Sequence, residues 1–281
     1  MTLRPVRPAD RDRVLEITSD VWEGRDYLPE VFEEWVADPG STFQAAEVEG
    51  EVVGVQRLRP IGPGIAFYEG LRVATTHRRR GIARSMLRQA LEQARSLGFR
   101  EVRLYTGSEA AGRLFASEGF RVVTACGVWS AGRMEGDDLP RLAGPEEAAA
   151  LADRLRRDPG LAASLAAYRG LNPDWHAALD VDAALLERLA GEGRVRLGPG
   201  GRALALLRAR PRSRLAATFV AGTGAALQDL MAGLRFEADG QGLRGVAALL
   251  PDDHPGIEDL RQVGYDLADD EGRAYVYALD L

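Results

Sequence analysis

The sequence predicts an α/β (α+β) chain built on a mixed, mostly antiparallel sheet, arranged as two tandem domains of which the second is a worn copy of the first. Three observations carry this expectation. Short apolar segments of strand-like and helix-like periodicity alternate along the chain. One strand, Ile65–Val73, runs straight into an arginine–glycine junction and a long amphipathic helix. The order helix, Gly-Phe, strand, helix, Gly-Phe at 91–122 returns in outline at 230–267.

Residues 2–6 read as a first strand, and Pro8-Ala9-Asp10 opens a helix to about Thr18, because proline suits a first turn whose N–H groups lack partners. A loop at 20–29 holds Trp22, Arg25 and Tyr27, and a helix at 30–37 ends before Pro39-Gly40. Thr42–Val48 and 51–59 form a hairpin around Glu49-Gly50. After Ile65–Val73, the residues Ile82, Met86, Leu87, Ala90, Leu91 and Ala94 recur at helical spacing between about Gly81 and Leu97. A strand at 101–105, a helix at 109–118 capped by Gly119, and strand at 121–129 complete a first domain, 1–132. Glycines and prolines at Gly132, Gly136, Pro140, Gly144 and Pro145 mark a linker, 133–145. The second domain, 146–281, reads as helix at 146–168 and 182–190, then strands near 194–198, 202–209 and 214–220. A helix at 224–234, a strand at 244–250, a helix at 255–262 and a strand at 274–280 finish it. In its echo of the first domain, Leu234-Arg235-Phe236 stands for the first Gly-Phe and Gly264-Tyr265 for the second.

A length of 281 residues suits two domains. With 46% hydrophobic and 28% charged residues the composition is that of a globular protein. No apolar run is long enough to span a bilayer, and the first residues lack a signal peptide's apolar core. A lone cysteine, Cys126, excludes an intrachain disulfide, and His77, His176 and His254 show no metal-ligand spacing. The expectation is a cytoplasmic protein without metal or membrane partner; a homodimer is left open. A net charge of −6 argues against nucleic acid, which needs a basic face. The chain has no lysine and a single asparagine, Asn172, which fits GC-rich coding rather than a mechanism.

The junction Arg78-Arg79-Arg80-Gly81-Ile82-Ala83 is the candidate binding site. A helix start offers unpartnered N–H groups and partial positive charge to an anion. Gly81 removes the Cβ that would keep a phosphate off the main chain, and arginines add forked donors. The segment resembles the R/Q-x-x-G-x-G/A signature of the GCN5-related N-acetyltransferases (GNAT). Glu69-Gly70-Leu71-Arg72-Val73-Ala74 before it and Gly119-Phe120 after it resemble that family as well. The resemblance implies a GNAT fold and acetyl-CoA as co-substrate, its diphosphate on 78–83. It also implies Leu71 N–H toward the acetyl oxygen, the Val73 backbone along the pantetheine arm, and contacts at Ser108 and Phe115. The second copy's loop, Ala221-Gly222-Thr223-Gly224-Ala225-Ala226, has no arginine and reads as a lost cofactor grip.

Acetyl transfer to an amine needs a polarised thioester carbonyl, a neutral amine and a protonated leaving thiolate. Glu69 is the candidate base: strand parity puts it on the face of Leu71 and Val73. The alternative is a strand glutamate that faces solvent or pairs with an arginine such as Arg57. The family's usual tyrosine acid, four residues before Gly-Phe, is Phe115 here, which leaves Tyr105, another group or water. A narrower resemblance, to the histidine N-acetyltransferase-like family, lies in Asp26-Tyr27-Leu28-Pro29, the Glu69–Ala74 strand and Asp174-Trp175. It implies a small amine substrate, such as the α-amino group of histidine. Arg25, Arg57 or Arg72 would meet its carboxylate, and Trp22, Tyr27 and Trp175 would wall the pocket. The competing expectations are an aminoglycoside or polyamine acetyltransferase, with an acidic pocket, and a non-catalytic acetyl-CoA sensor.

Overall fold

The computed structural model describes the chain except residues 25, 175, 176, 210, 212 and 269–272. It divides into two units. Unit 1 comprises Met1–Leu104, Glu109–Arg121 and Tyr277–Leu281, and unit 2 comprises Tyr105–Ser108 and Val122–Val276. This differs from a cut at 133–145, because each unit takes a strand segment from the far half of the sequence.

Unit 1 begins with β1 (Thr2–Pro5), α1 (Arg11–Thr18) and α2 (Leu28–Ala37). A meander follows: β2 (Thr42–Val48), β3 (Glu51–Gly62) and β4 (Ile65–Val73). Then come α3 (Ile82–Ser96), β5 (Glu101–Thr106), α4 (Glu109–Ser117) and the first residue of β6 (Arg121–Gly132). Strands β1 to β4 are antiparallel neighbours, and β5 joins β4 in parallel. Tyr277–Leu281 completes the unit, Leu281 N–H donating to Arg100 O at 2.9 Å. Leu28, Phe32 and Trp35 of α2 pack with Val14 and Ile17 of α1 on Phe43, Ala45 and Val55. On the α3 side, Ile82 and Met86 pack with Ala46 and Val53. Each buried Val, Leu, Ile, Phe or Met among them contributes roughly 1.5–3 kcal/mol of transfer free energy.

Unit 2 repeats the order. Its elements are β7 (Arg141–Leu142), α5 (Ala148–Arg157), α6 (Pro159–Ala167), β8 (Leu171–Asp174), β9 (Ala177–Asp180) and α7 (Ala183–Gly191). They continue with β10 (Val195–Leu197), β11 (Leu204–Leu207), β12 (Leu215–Ala221), α8 (Ala225–Gly240) and β13 (Gly245–Pro251). Last come α9 (Ile257–Gln262), β14 (Asp266–Leu267) and β15 (Arg273–Asp280), of which the unit holds the part up to Val276. The sheet runs β6-β13-β12-β11-β10-β7. Only β12 and β13 pair in parallel within it.

Three details depart from the sequence expectation. The helix expected at 146–168 is two helices, because Asp158 accepts the Gly160 and Leu161 N–H groups and Pro159 fills the first helical position. The linker carries β7, and β8 with β9 forms a separate ribbon. Helix α8 runs on to Gly240, so Leu234-Arg235-Phe236 lies inside it. The counterpart of Gly98-Phe99 is instead Gly242-Leu243. Phe99 N–H bonds Ala94 O at 3.0 Å and Leu243 N–H bonds Ala238 O at 2.9 Å, each after a glycine of positive φ. Gly119-Phe120 and Gly264-Tyr265 repeat the same cap.

Candidate active site

The site begins where β4 loses its neighbours. Its register with β3 runs Leu58↔Tyr68 and Arg57↔Glu69, then jumps to Val55↔Arg72 and Gly54↔Val73. Gly70 and Leu71 therefore face Gln56 together, a β-bulge. Gly70 has φ +69°, and a Cβ on it would lie 2.7 Å from the Trp35 ring, so only glycine serves there. The parallel ladder to β5 ends at Phe67↔Arg103, and β4 continues without it.

The bulge corrects the expected parity. One extra residue turns Leu71 and Val73 to the α3 side, against Ile82 and Met86. Glu69 shares the opposite face with Arg72, Arg57 and Arg59. The Leu71 side chain and the Glu69 carboxylate thus lie on opposite faces of the strand, while the Leu71 N–H lies in the plane of the sheet.

Past Val73 the chain makes a short turn, Thr75–His77, and enters α3 through Gly81 at φ +81°. No side chain caps α3, and the first helical bond runs from Ser85 N–H to Gly81 O. A Cβ on Gly81 would meet nothing within 4 Å. Arg78, Arg79 and Arg80 are exposed, whereas the Ile82 side chain turns into the core and leaves only its backbone for a ligand. Ala83 is half-buried. Arg78 donates to Val73 O at 3.0 Å and pairs with Asp20 at 2.9 Å, and that contact holds the Asp20 carboxyl below its usual range. An exposed pair of this kind is worth about 0–1 kcal/mol, so an arriving diphosphate can take its place. An open, uncapped helix start edged by three arginines fits the diphosphate of acetyl-CoA.

On the other face Glu69 is almost fully enclosed, its side chain 6% exposed. Its Oε1 accepts from Arg57 at 3.0 Å and Arg59 at 2.7 Å. Burial pushes its carboxyl up from the ordinary value against the pull of those arginines. Arg57 stacks over Trp35 at 4.5 Å and donates also to Ser41 and Asp38, at 3.0 and 2.5 Å. It is a buried, engaged cation rather than one held ready for a carboxylate. Arg72 makes a bidentate pair with Asp26, at 2.6 and 3.0 Å, while Asp26 Oδ1 accepts Leu28 N–H at the start of α2. Tyr27 lies edge-on to Trp35 at 5.9 Å and under Arg72, and burial pushes its hydroxyl up to about 12. Arg59, Asp26 and Asp38 were not anticipated. Arg59 had a signal, since the hairpin that pairs Arg57 with Glu69 puts Arg59 two residues along the same face.

Phe115, expected at the cofactor, is a buried ring among Tyr68, Phe120 and Tyr277, with centroids 6.1, 5.6 and 6.2 Å away. Ser108 is exposed in unit 2, its N–H on Thr106 Oγ1 at 3.0 Å. Tyr105 packs against unit 2's core, and burial drives its hydroxyl far above the ordinary value. Trp22 falls in the turn Val21–Gly24; its side chain, Arg25 and Trp175 lie outside the described residues. Among the described residues no metal-ligand cluster occurs, and no helix is long and apolar enough to cross a membrane.

A parallel strand pair that parts beside a bulge, feeding an uncapped helix rimmed by arginines, defines an acetyltransferase fold of the GNAT class. Residues 11–120 match the acetyltransferase (GNAT) family, and the chain carries a domain of that family. The histidine N-acetyltransferase of Oreochromis niloticus is 33% identical over 88 residues, 31% of this chain and 26% of that protein. N-acetyltransferase 8 of Homo sapiens is 33% identical over 101 residues, 34% of this chain and 44% of that protein. The matched stretch thus spans less than half of either relative. A GCN5-related N-acetyltransferase from Sphaerobacter thermophilus superposes with a TM-score of 0.61 at 14% identity, over 99% of this chain and 95% of that one, so the likeness of fold extends through both units.

Proposed function

We propose that unit 1 is an acetyl-CoA-dependent N-acetyltransferase acting on a small amine, with the α-amino group of histidine or a similar amino acid as the preferred acceptor. The observation that carries it is the continuous path from the Gly70–Leu71 bulge to the open start of α3 at Gly81. Backbone amides of 81–83 and the guanidinium of Arg78 would hold the diphosphate, with Arg79 and Arg80 at its rim, and Val73 would line the arm. Bound there, acetyl-CoA supplies an activated acetyl thioester. Leu71, outside the regular register, turns its N–H toward developing negative charge, a fixed dipole that needs no reorganisation. Glu69 takes the proton of the ammonium, directly or through water, and its raised proton affinity improves it as a base.

The amino-acid acceptor is supported by the matched histidine N-acetyltransferase and by the Glu69 face. A polycation such as a polyamine would meet Arg57, Arg59 and Arg72 there. Because Arg57 and Arg72 already bond Asp38, Glu69 and Asp26, a substrate carboxylate joins these networks instead of displacing them. The competing sensor reading draws on Phe115, a buried ring with no proton to donate at the family's usual acid position. One assay separates them: release of free thiol from acetyl-CoA with a panel of amino acids, polyamines and aminoglycosides. Turnover fastest with histidine or a close analogue is the expected result. Tight acetyl-CoA binding with no acceptor turned over would make unit 1 a sensor.

A further inference from the structure

Unit 2 rebuilds the framework of this site and then fills it. β12 pairs with β13 only at Leu215–Ala217↔Val246–Ala248, as β4 pairs with β5 only at Ile65–Phe67↔Glu101–Arg103. It then leads through Gly222 and Gly224 into α8, whose N-cap residue, like that of α3, offers no side chain. Past the last strand pair, backbone groups that no ladder takes up must find partners or stay open to a ligand.

In unit 2 the unit's own side chains take them. Tyr168, at the end of α6 and fully buried, sets its hydroxyl between the two strands. It accepts Val220 N–H at 3.2 Å and donates to Leu249 O at 2.5 Å. His254 Nε2–H donates to Val220 O at 2.9 Å, and Nδ1 accepts Gly256 N–H at 3.1 Å, which fixes the neutral tautomer. Ser164 Oγ accepts Gly222 N–H at 3.1 Å and donates to Gly160 O at 3.0 Å. At the mouth of α8, the Asp259 carboxylate accepts Gly224 N–H at 2.7 Å and Gln228 Nε2 at 2.9 Å. Ring, imidazole, hydroxyl and carboxylate run in that order from the strand gap to the helix start. An anion sits at the end where unit 1 keeps arginines and an open amide cradle.

We propose that Tyr168, His254, Ser164 and Asp259 form an internal ligand, occupying in unit 2 the track that in unit 1 leads to the uncapped start of α3, and that Tyr168 fills a latent pocket for a phenol-sized ring. The comparison rests on the acetyl-CoA reading of unit 1 for what the track would hold; the pocket itself does not. Tyr168 meets both requirements of a bound phenol, an enclosed ring against Phe219 (4.6 Å between centroids) and a hydroxyl with a donor and an acceptor.

The test uses the full chain and its Tyr168→Phe and Tyr168→Gly variants, with thermal unfolding in the presence and absence of p-cresol and calorimetric titration of acetyl-CoA. Tyr168→Phe should unfold at lower temperature, because Val220 N–H and Leu249 O lose their shared partner. Tyr168→Gly should unfold lower still and recover several degrees with millimolar p-cresol, as a ligand bound only to the folded state requires. Toluene, without the hydroxyl, should recover less, and p-cresol should leave the unsubstituted chain unchanged. If Tyr168→Gly cannot be obtained folded, refolding with p-cresol should restore it. A Gly variant as stable as the starting chain, no recovery with p-cresol, or equal stabilisation of the starting chain overturns the latent pocket. Two acetyl-CoA per chain overturns the internal ligand, one per chain being expected. If p-cresol rescues but no acetyl-CoA binds, the internal ligand stands and the cofactor reading of unit 1 falls.

Discussion

Two residues beyond its last parallel strand pair, unit 1 carries Glu69 and unit 2 carries Phe219. The irregularity in β4 follows Glu69, at Gly70–Leu71, and that in β12 precedes Phe219, at Thr218; one side chain is a carboxylate gripped by two arginines and the other a ring tilted against Tyr168. That difference teaches what separates a receptor from a core in this fold. A parting strand pair exposes polar backbone wherever it occurs, and those groups need partners. Unit 1 answers with Arg72 on Leu71 O and Arg78 on Val73 O and keeps the start of α3 uncapped, and unit 2 answers with Tyr168, His254, Ser164 and Asp259.

The largest expected effect comes from exchanging the two equivalent positions' chemistry. Glu69→Gln should lower kcat by roughly 10²–10⁴-fold while acetyl-CoA affinity holds, the range of losing a general base. Phe219→Leu should leave kcat unchanged and only lower stability. Burial raises the Glu69 proton affinity, so the deprotonated base is lost at a higher pH than for an ordinary carboxylate. The acid limb of kcat/KM should therefore sit above the ordinary carboxylate range and disappear in the Gln variant. Equal turnover of Glu69→Gln and the unsubstituted chain at neutral pH would make the residue a structural partner of Arg57 and Arg59.

A smaller effect is expected at the helix starts. Gly81→Val forces a β-branched residue into a left-handed conformation and points its side chain into the open cradle. That conformation costs the folded chain roughly 1–2 kcal/mol. Separately, a side chain at the uncapped helix start should weaken acetyl-CoA binding about tenfold, measurable by calorimetry. An unchanged dissociation constant would move the diphosphate elsewhere.

The smallest effect distinguishes the units by pH. Burial lowers the proton affinity of His254, so the imidazole is neutral in the folded state while the unfolded one takes a proton below about pH 6.5. Its contribution to stability is present above that value and is lost as pH falls through the depressed folded pKa. Asp253 and Asp259 nearby oppose the depression, which limits the size of the effect. Glu69 has the opposite sign, its raised folded pKa favouring the folded state at low pH and losing that contribution as pH rises. Urea unfolding between pH 7 and pH 5 should weaken unit 2, and His254→Gln should flatten the dependence. A unit 2 indifferent to pH over that range would show that His254 takes up its proton as readily in the folded state as in the unfolded one.

Much of this was legible in the sequence, because periodicity and turn chemistry are local. The strand–junction–helix at Ile65–Ser96, the Glu49-Gly50 hairpin and the Arg57–Glu69 partnership follow from spacing within a few tens of residues. The face of Glu69 was not, since one inserted residue at Gly70–Leu71 reverses parity and only the register reveals it. The Asp26–Arg72 pair joins positions 46 residues apart, with no pattern to link them. β7 is two residues long, too short for any period to show. The break at Asp158-Pro159 did have a signal, an aspartate cap before a proline, hidden by the alanine and leucine run on either side.

The return of Tyr277–Leu281 to unit 1 sets a timetable as well as a topology. Arg121 and Asp280, 159 residues apart, pair on one face of that unit, and Leu281 bonds back to Arg100. A ribosome delivering this chain makes residues 1–121 early, but cannot release the strand that closes their sheet until all of Val122–Val276 has been made. Unit 1 therefore waits with an unpaired strand edge, a state prone to pairing with a neighbour.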